Sequence, residues 1–108
     1  MIFCSLYSGS SGNSIFIGDK ESKILIDAGM PGKKIDEAMK SIGQDPSKLD
    51  GIFITHEHSD HIKGVGIISR KYDVPIYAND KTWAAMESSI GKVKEHNIKV
   101  MEDRKSTR

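Results

Sequence analysis

Three of the chain's four histidines fall in one run, Thr55-His56-Glu57-His58-Ser59-Asp60-His61. The pattern H-x-H-x-D-H gathers three imidazoles and a carboxylate into one short loop. Such donors suit borderline divalent ions, zinc first and manganese or iron less strongly. Ligands so closely spaced cannot easily wrap around a single tetrahedral ion. A pair of neighbouring ions is the more natural arrangement, with His56 and His58 on one and Asp60 and His61 on the other. Two such ions can activate a water and clamp the oxygens of a bond undergoing hydrolysis. A hydrolase site is therefore the leading expectation. The plainer alternative is a surface loop rich in histidine, and the flanking sequence weighs against it.

Upstream of the loop, Gly51-Ile52-Phe53-Ile54-Thr55 is apolar and β-rich, and predicts a buried strand. Downstream, Ile62, Val65, Ile67 and Ile68 lead into Ser69-Arg70-Lys71-Tyr72, which predicts a helix weakened by glycine. The ligands are thus expected at the carboxyl end of a strand, where open α/β folds hold their chemistry.

The rest of the chain supplies a scaffold for that loop. Ile2–Tyr7, Ser14–Ile17 and Lys23–Asp27 predict three short strands of a β-meander, separated by Ser8–Asn13 and by Gly18–Ser22. Ile35, Ala38, Met39 and Ile42 recur at the spacing of one helix face, with Gly43 as the residue that ends it. Gln44–Lys48 is a turn. Val74–Ala78 predicts another strand, and Asn79 or Asp80 then caps a helix carrying Trp83, Met86 and Ile90 and ending at Gly91. At that spacing Trp83 and Met86 are expected in the core. Ile98–Met101 predicts a last strand, and the polar tail Glu102–Arg108 is expected to fray.

At 108 residues the chain predicts one domain, residues 1–101, followed by that tail. A formal net charge of +1 announces no strong field toward nucleic acid or membrane, and excludes neither. The single cysteine, Cys4, cannot form an internal disulfide and is expected to pack within a strand. Neither a signal peptide nor an apolar run of membrane-spanning length is evident, so the expected setting is soluble and cytoplasmic.

Taken with Leu25-Ile26-Asp27-Ala28-Gly29, the H-x-H-x-D-H loop makes the chain resemble the metallo-β-lactamase fold superfamily. The opening Cys4-Ser5-Leu6-Tyr7-Ser8-Gly9-Ser10-Ser11-Gly12-Asn13-Ser14 and the stretch THEHSDHIKG over 55–64 are similar to its WalJ/YycJ-type, exonuclease-like branch. The resemblance implies an α/β fold, the amino-terminal half of an αβ/βα sandwich in which a β-meander precedes alternating helices and strands. It implies two divalent metal ions, zinc or manganese, held by His56, His58, Asp60 and His61. Asp60 would also orient a bridging hydroxide, and hydrolysis of a phosphodiester in nucleic acid would follow. Asp27 matches a position that supports the metal loop from behind, though a plain strand-end turn residue is the alternative. Ser10, Ser11, Gly12 and Asn13 could present donors to a substrate phosphate, or could be only a hairpin connection.

The superfamily's later ligands, two histidines and a bridging aspartate, have no counterpart here. His96 comes too early and reads as a solvated residue before a strand. The chain thus looks like a fragment with an incomplete ligand set, inactive alone. Thioester or lactone hydrolysis on the same fold, and a catalytically inactive metal-binding module, remain as alternatives. An uncovered sheet face would also favour a homodimer, and no membrane partner is expected.

Overall fold

In a computed structural model that describes residues 2–7, 12–55 and 62–101, six strands form one mixed sheet in chain order. The strands are β1 (Ile2–Tyr7), β2 (Ser14–Gly18), β3 (Lys23–Ile26), β4 (Gly51–Phe53), β5 (Ile76–Asn79) and β6 (Ile98–Met101). The first three run antiparallel as the expected meander, and β3 to β6 run parallel. Three helices supply the crossovers that parallel strands require: α1 (Gly32–Ser41), α2 (Val65–Tyr72) and α3 (Asp80–Ile90). Short 3-10 turns at Pro46–Lys48 and Glu95–Asn97 lead into β4 and β6.

Register divides the sheet's side chains between two faces, because residues paired across strands share a face. The row Phe16–Leu25–Ile52–Ile76 is fully buried, and it forms one core with Ile35 and Met39 of α1, Val65 and Ile68 of α2, and Met86 of α3. On the opposite face, Ile15, Ile26, Phe53 and Tyr77 align in a second row and stay half-buried. Phe53 and Tyr77 stack there, ring centroids 4.6 Å apart. A Cβ at Gly51 would lie 2.7 Å from the Tyr77 ring, so glycine makes room for that stack.

Cap residues set the start of α3 and the ends of α1 and α3. Asn79 accepts the Thr82 N–H at 2.8 Å and caps α3, and Gly91 beyond its end takes φ +79°. Gly43 follows α1 at φ +77°. Arg70 donates to the Ile90 carbonyl at the end of α3 at 2.9 Å and to the Lys92 carbonyl just beyond it at 2.7 Å. Trp83 is a core residue as expected, and its indole N–H donates to the Lys99 carbonyl at 2.9 Å, tying the edge strand β6 to α3. Asp36 sits on the buried face of α1, where the Tyr72 hydroxyl and Lys71 ammonium donate to it at 2.8 and 2.9 Å. This polar pairing fastens α1 to the end of α2.

Ile67 lies on the outer side of the helix that the sequence predicts here. It is 48% exposed, because the buried face of α2 runs through Val65, Gly66, Ile68 and Ser69 instead. Glycine at 66 lets α2 approach α3: a Cβ there would lie 2.1 Å from the Ile90 carbonyl oxygen. Among the described residues no helix is long and apolar enough to cross a membrane. The tail 102–108 lies outside the described residues.

Candidate metal centre

The turn Asp27-Ala28-Gly29 follows β3 and lies beside the carboxyl end of β4, where it bonds to Thr55, Gly64, Asn13 and Ser14. Asp27 adopts φ +64°, a left-handed conformation that aspartate tolerates better than most residues. Its N–H still donates to the Phe53 carbonyl at 2.8 Å, extending the β3–β4 pairing by one residue. The change of backbone hand brings its carboxylate to Thr55. The Thr55 N–H donates to Oδ1 at 2.8 Å, and the Thr55 hydroxyl lies 3.0 Å from Oδ1 and 2.8 Å from Oδ2. Asp27 is buried, and such charge-assisted bonds compensate a carboxylate withdrawn from water.

One residue further, the Ala28 carbonyl accepts the Gly64 N–H at 2.7 Å. A Cβ at Gly64 would lie 2.2 Å from the Met30 carbonyl oxygen, so only glycine fits this contact. Thr55 and Gly64 bracket the H-x-H-x-D-H segment, and both are held by consecutive residues of one turn. Neither role was legible in the local sequence, because both contacts join residues far apart in the chain. The local trace is a hydroxyl ahead of the first histidine and a glycine after the last.

The same turn receives the end of the serine- and glycine-rich segment. The Ser14 hydroxyl donates to the Asp27 carbonyl at 2.9 Å, and the Gly29 N–H donates to the Asn13 carbonyl at 2.8 Å. Gly12 lies against Met30, whose Sδ would be 2.4 Å from a Cβ at that position. Gly12 and Asn13 are therefore brought to the turn that holds Thr55 and Gly64. Ser10 and Ser11 lie outside the described residues.

The expected ligands His56, His58, Asp60 and His61 also lie outside the described residues. Among the described residues no group of three or more His, Cys, Asp or Glu could hold a metal. His96 is exposed and stands before β6, at the end of the parallel strands opposite Thr55. It pairs with Asp73, Nε2 to Oδ1 at 2.8 Å, and hydrogen bonds from Asn97 and His96 hold the Asp73 carboxyl below the usual range. A cleft of about 560 Å³ lined by Phe16, Gly18, Asp19, Lys20, Glu21, Lys23 and Gln44 opens at the β2–β3 turn. It too lies at the far end of the strands, so it is not part of this centre.

The donor types fit a metal pair on chemical grounds, since imidazoles and a carboxylate suit zinc and its neighbours, and the Asp27 carboxylate holds Thr55, the residue before the motif. Comparison with known proteins agrees. The family model for the metallo-beta-lactamase superfamily matches residues 7–105. The chain is 50% identical over 91 residues to a Bacillus anthracis protein named exodeoxyribonuclease YycJ, covering 84% of this chain and 34% of that protein. It is 56% identical over 90 residues to exodeoxyribonuclease WalJ of Streptococcus pneumoniae, covering 82% of this chain and 34% of the relative. The chain thus spans about a third of the length of these curated relatives. Its fold matches a B3 metallo-beta-lactamase with an active-site glutamic acid at TM-score 0.75 and 20% identity, over 94% of this chain and 44% of that one. Sheet order, the histidine motif in the sequence and the family match lead to one conclusion: the chain belongs to the metallo-beta-lactamase superfamily.

Proposed function

We propose that this chain carries the first ligand loop of a two-metal phosphodiesterase, and that the longer protein it represents is a DNA exonuclease. The observation that carries this reading is the double anchorage of the H-x-H-x-D-H segment, Thr55 on the Asp27 carboxylate and Gly64 on the Ala28 carbonyl. A segment held at both ends has less conformational freedom to lose when its side chains converge on ions. Identities of 50% and 56% to proteins named exodeoxyribonucleases favour a phosphodiester substrate.

His56, His58, Asp60 and His61 would hold the ions, zinc by first preference and manganese by second. Bound there, the metal pair supplies an activated water and compensates the charge that develops on the phosphodiester oxygens. Asp60 is the residue we assign to orienting that water. Asp27 acts through Thr55, fixing where the ligand loop leaves the sheet. Gly12 and Asn13, with Ser10 and Ser11, are our candidates for contact with the substrate phosphate. The setting we propose is the cytoplasm.

The 108-residue chain alone should show little or no turnover, since a small loosening of a metal site is costly in rate. Thioester or lactone hydrolysis on the same fold is the competing reading. Both are tested on the longer protein, with a DNA oligonucleotide and a thioester offered in parallel. Chelator-sensitive DNA hydrolysis that disappears in His58→Ala, Asp60→Ala supports the nuclease. Turnover of the thioester alone overturns it.

The isolated chain's proposed partner is a second copy. Ile15, Ile17, Ile24, Ile26, Phe53 and Tyr77 form a continuous half-buried apolar face, and Phe3 beside Ile17 is 69% exposed. Contiguous apolar patches beyond a few hundred Å² are rare on monomers.

A further inference from the structure

The residues flanking the ligand loop meet the start of α1. A Cβ at Gly64 would lie 2.9 Å from the Gly32 nitrogen, and one at Gly32 would lie 3.8 Å from the Gly64 oxygen. Lys63 precedes Gly64 and Lys33 follows Gly32, and both are exposed. With ~3.8 Å between consecutive Cα atoms, the two lysines stand within roughly 13 Å of each other. Consecutive phosphates of one strand advance ~3.4 Å along a duplex axis, so a few of them cover that span. Lys34 is exposed on the same turn of α1.

The dipole of α1 gives these cations no support. The first turn of α1 contains no acidic residue, and cations there oppose the helix dipole. Lys40 and Lys71, by contrast, pair with Asp36. Among the described residues neither Lys33 nor Lys63 has a carboxylate within ion-pair distance, exposed Glu37 one turn along α1 included. Only one residue separates Lys63 from His61, so positive charge sits beside the ligand loop in the chain itself.

We infer that Lys33 and Lys63 form a docking surface for the sugar–phosphate backbone of a DNA strand entering the site, an inference that rests on the nuclease reading. Lysine serves as a mobile point charge, which suits backbone contact without base specificity. The probe is a fluorescent 20-nucleotide oligodeoxythymidylate, titrated with the chain by anisotropy across a salt series. Lys33→Ala, Lys63→Ala should weaken binding about tenfold or more at low salt. It should also flatten the slope of log K against log salt by about 1.4, from two single-strand phosphate contacts at ~0.7 each. Lys20→Ala, Lys48→Ala removes equal charge at the far end of the sheet and should change neither quantity. An unchanged slope in the first variant, an equal loss in the second, or no binding by the wild-type chain overturns the surface. The nuclease reading fails separately, by the parallel substrate assay on the longer protein.

Discussion

The Asp27 carboxylate accepts both the backbone N–H and the hydroxyl of Thr55, so the residue before His56 is held by a side chain from the neighbouring strand. Supporting carboxylates of this kind orient ligands, and losing one typically costs about 10–100-fold in metal affinity. Asp27→Asn keeps the shape, and asparagine tolerates the φ of +64°, so the backbone is preserved. The amide replaces one acceptor oxygen with a donor facing Thr55. We expect zinc affinity to fall within that range while the thermal midpoint moves little. Unchanged affinity in calorimetry would show that Thr55 needs no such support.

Gly64 makes a second prediction, of stability. A methyl group there meets the Met30 carbonyl oxygen at 2.2 Å and Ile35 Cδ1 at 2.8 Å, and backbone cannot yield as a flexible side chain does. Gly64→Ala should cost about 1–3 kcal/mol, the range for overpacking. Urea unfolding reads this as a lower midpoint at unchanged m-value. Gly43→Ala is the contrast: no atom stands within 4 Å, and its cost comes from the φ of +77° alone.

Asp36 gives the chain an acid-sensitive link between α1 and α2. Burial opposes its charge, yet hydrogen bonds from Lys71 and Tyr72, with Lys40 nearby, outweigh burial and hold the carboxyl below the usual range. A depressed folded value means the stabilisation is complete above the unfolded value of about 3.9, and is lost as pH falls through the lower folded value. Lys71 is exposed on its solvent side, so screening limits the total to roughly 1–2 kcal/mol. Asp36→Asn should therefore lower stability at pH 7 and flatten its decline below about pH 4. Parallel pH profiles for the two proteins would refute the assignment.

Local chemistry announced most of this architecture. The meander, the helix over Ile35–Met39, the Asn79 cap and the edge strand at Ile98 each follow from patterns within a dozen residues. Boundaries moved by a residue or two, as when the strand expected from Val74 begins at Ile76 after Pro75. Which face of α2 is buried was not legible locally, since Gly66 and Ser69 occupy the side where α2 approaches α3. At the candidate centre, Asp27 stood out through the Ile-Asp-Ala-Gly pattern. Its grip on Thr55 did not, because a hydrogen bond spanning 28 positions depends on β3 and β4 lying side by side.

The apolar sheet face makes self-association of the isolated chain a testable expectation. A concentration series in sedimentation equilibrium should show the isolated chain forming dimers or larger species, and Ile24→Lys or Phe53→Lys should shift it toward monomer. A strictly monomeric, cooperatively folded chain at high concentration would rule the association out.

The most direct measurement is calorimetric titration of the metal-free chain with zinc. Wild type should bind, more weakly than a closed structural site at ~10–16 kcal/mol. Binding should disappear in His58→Ala, Asp60→Ala. Equal binding by that double variant would contradict the account, because the loop held by Asp27 and Ala28 would not then be the metal site.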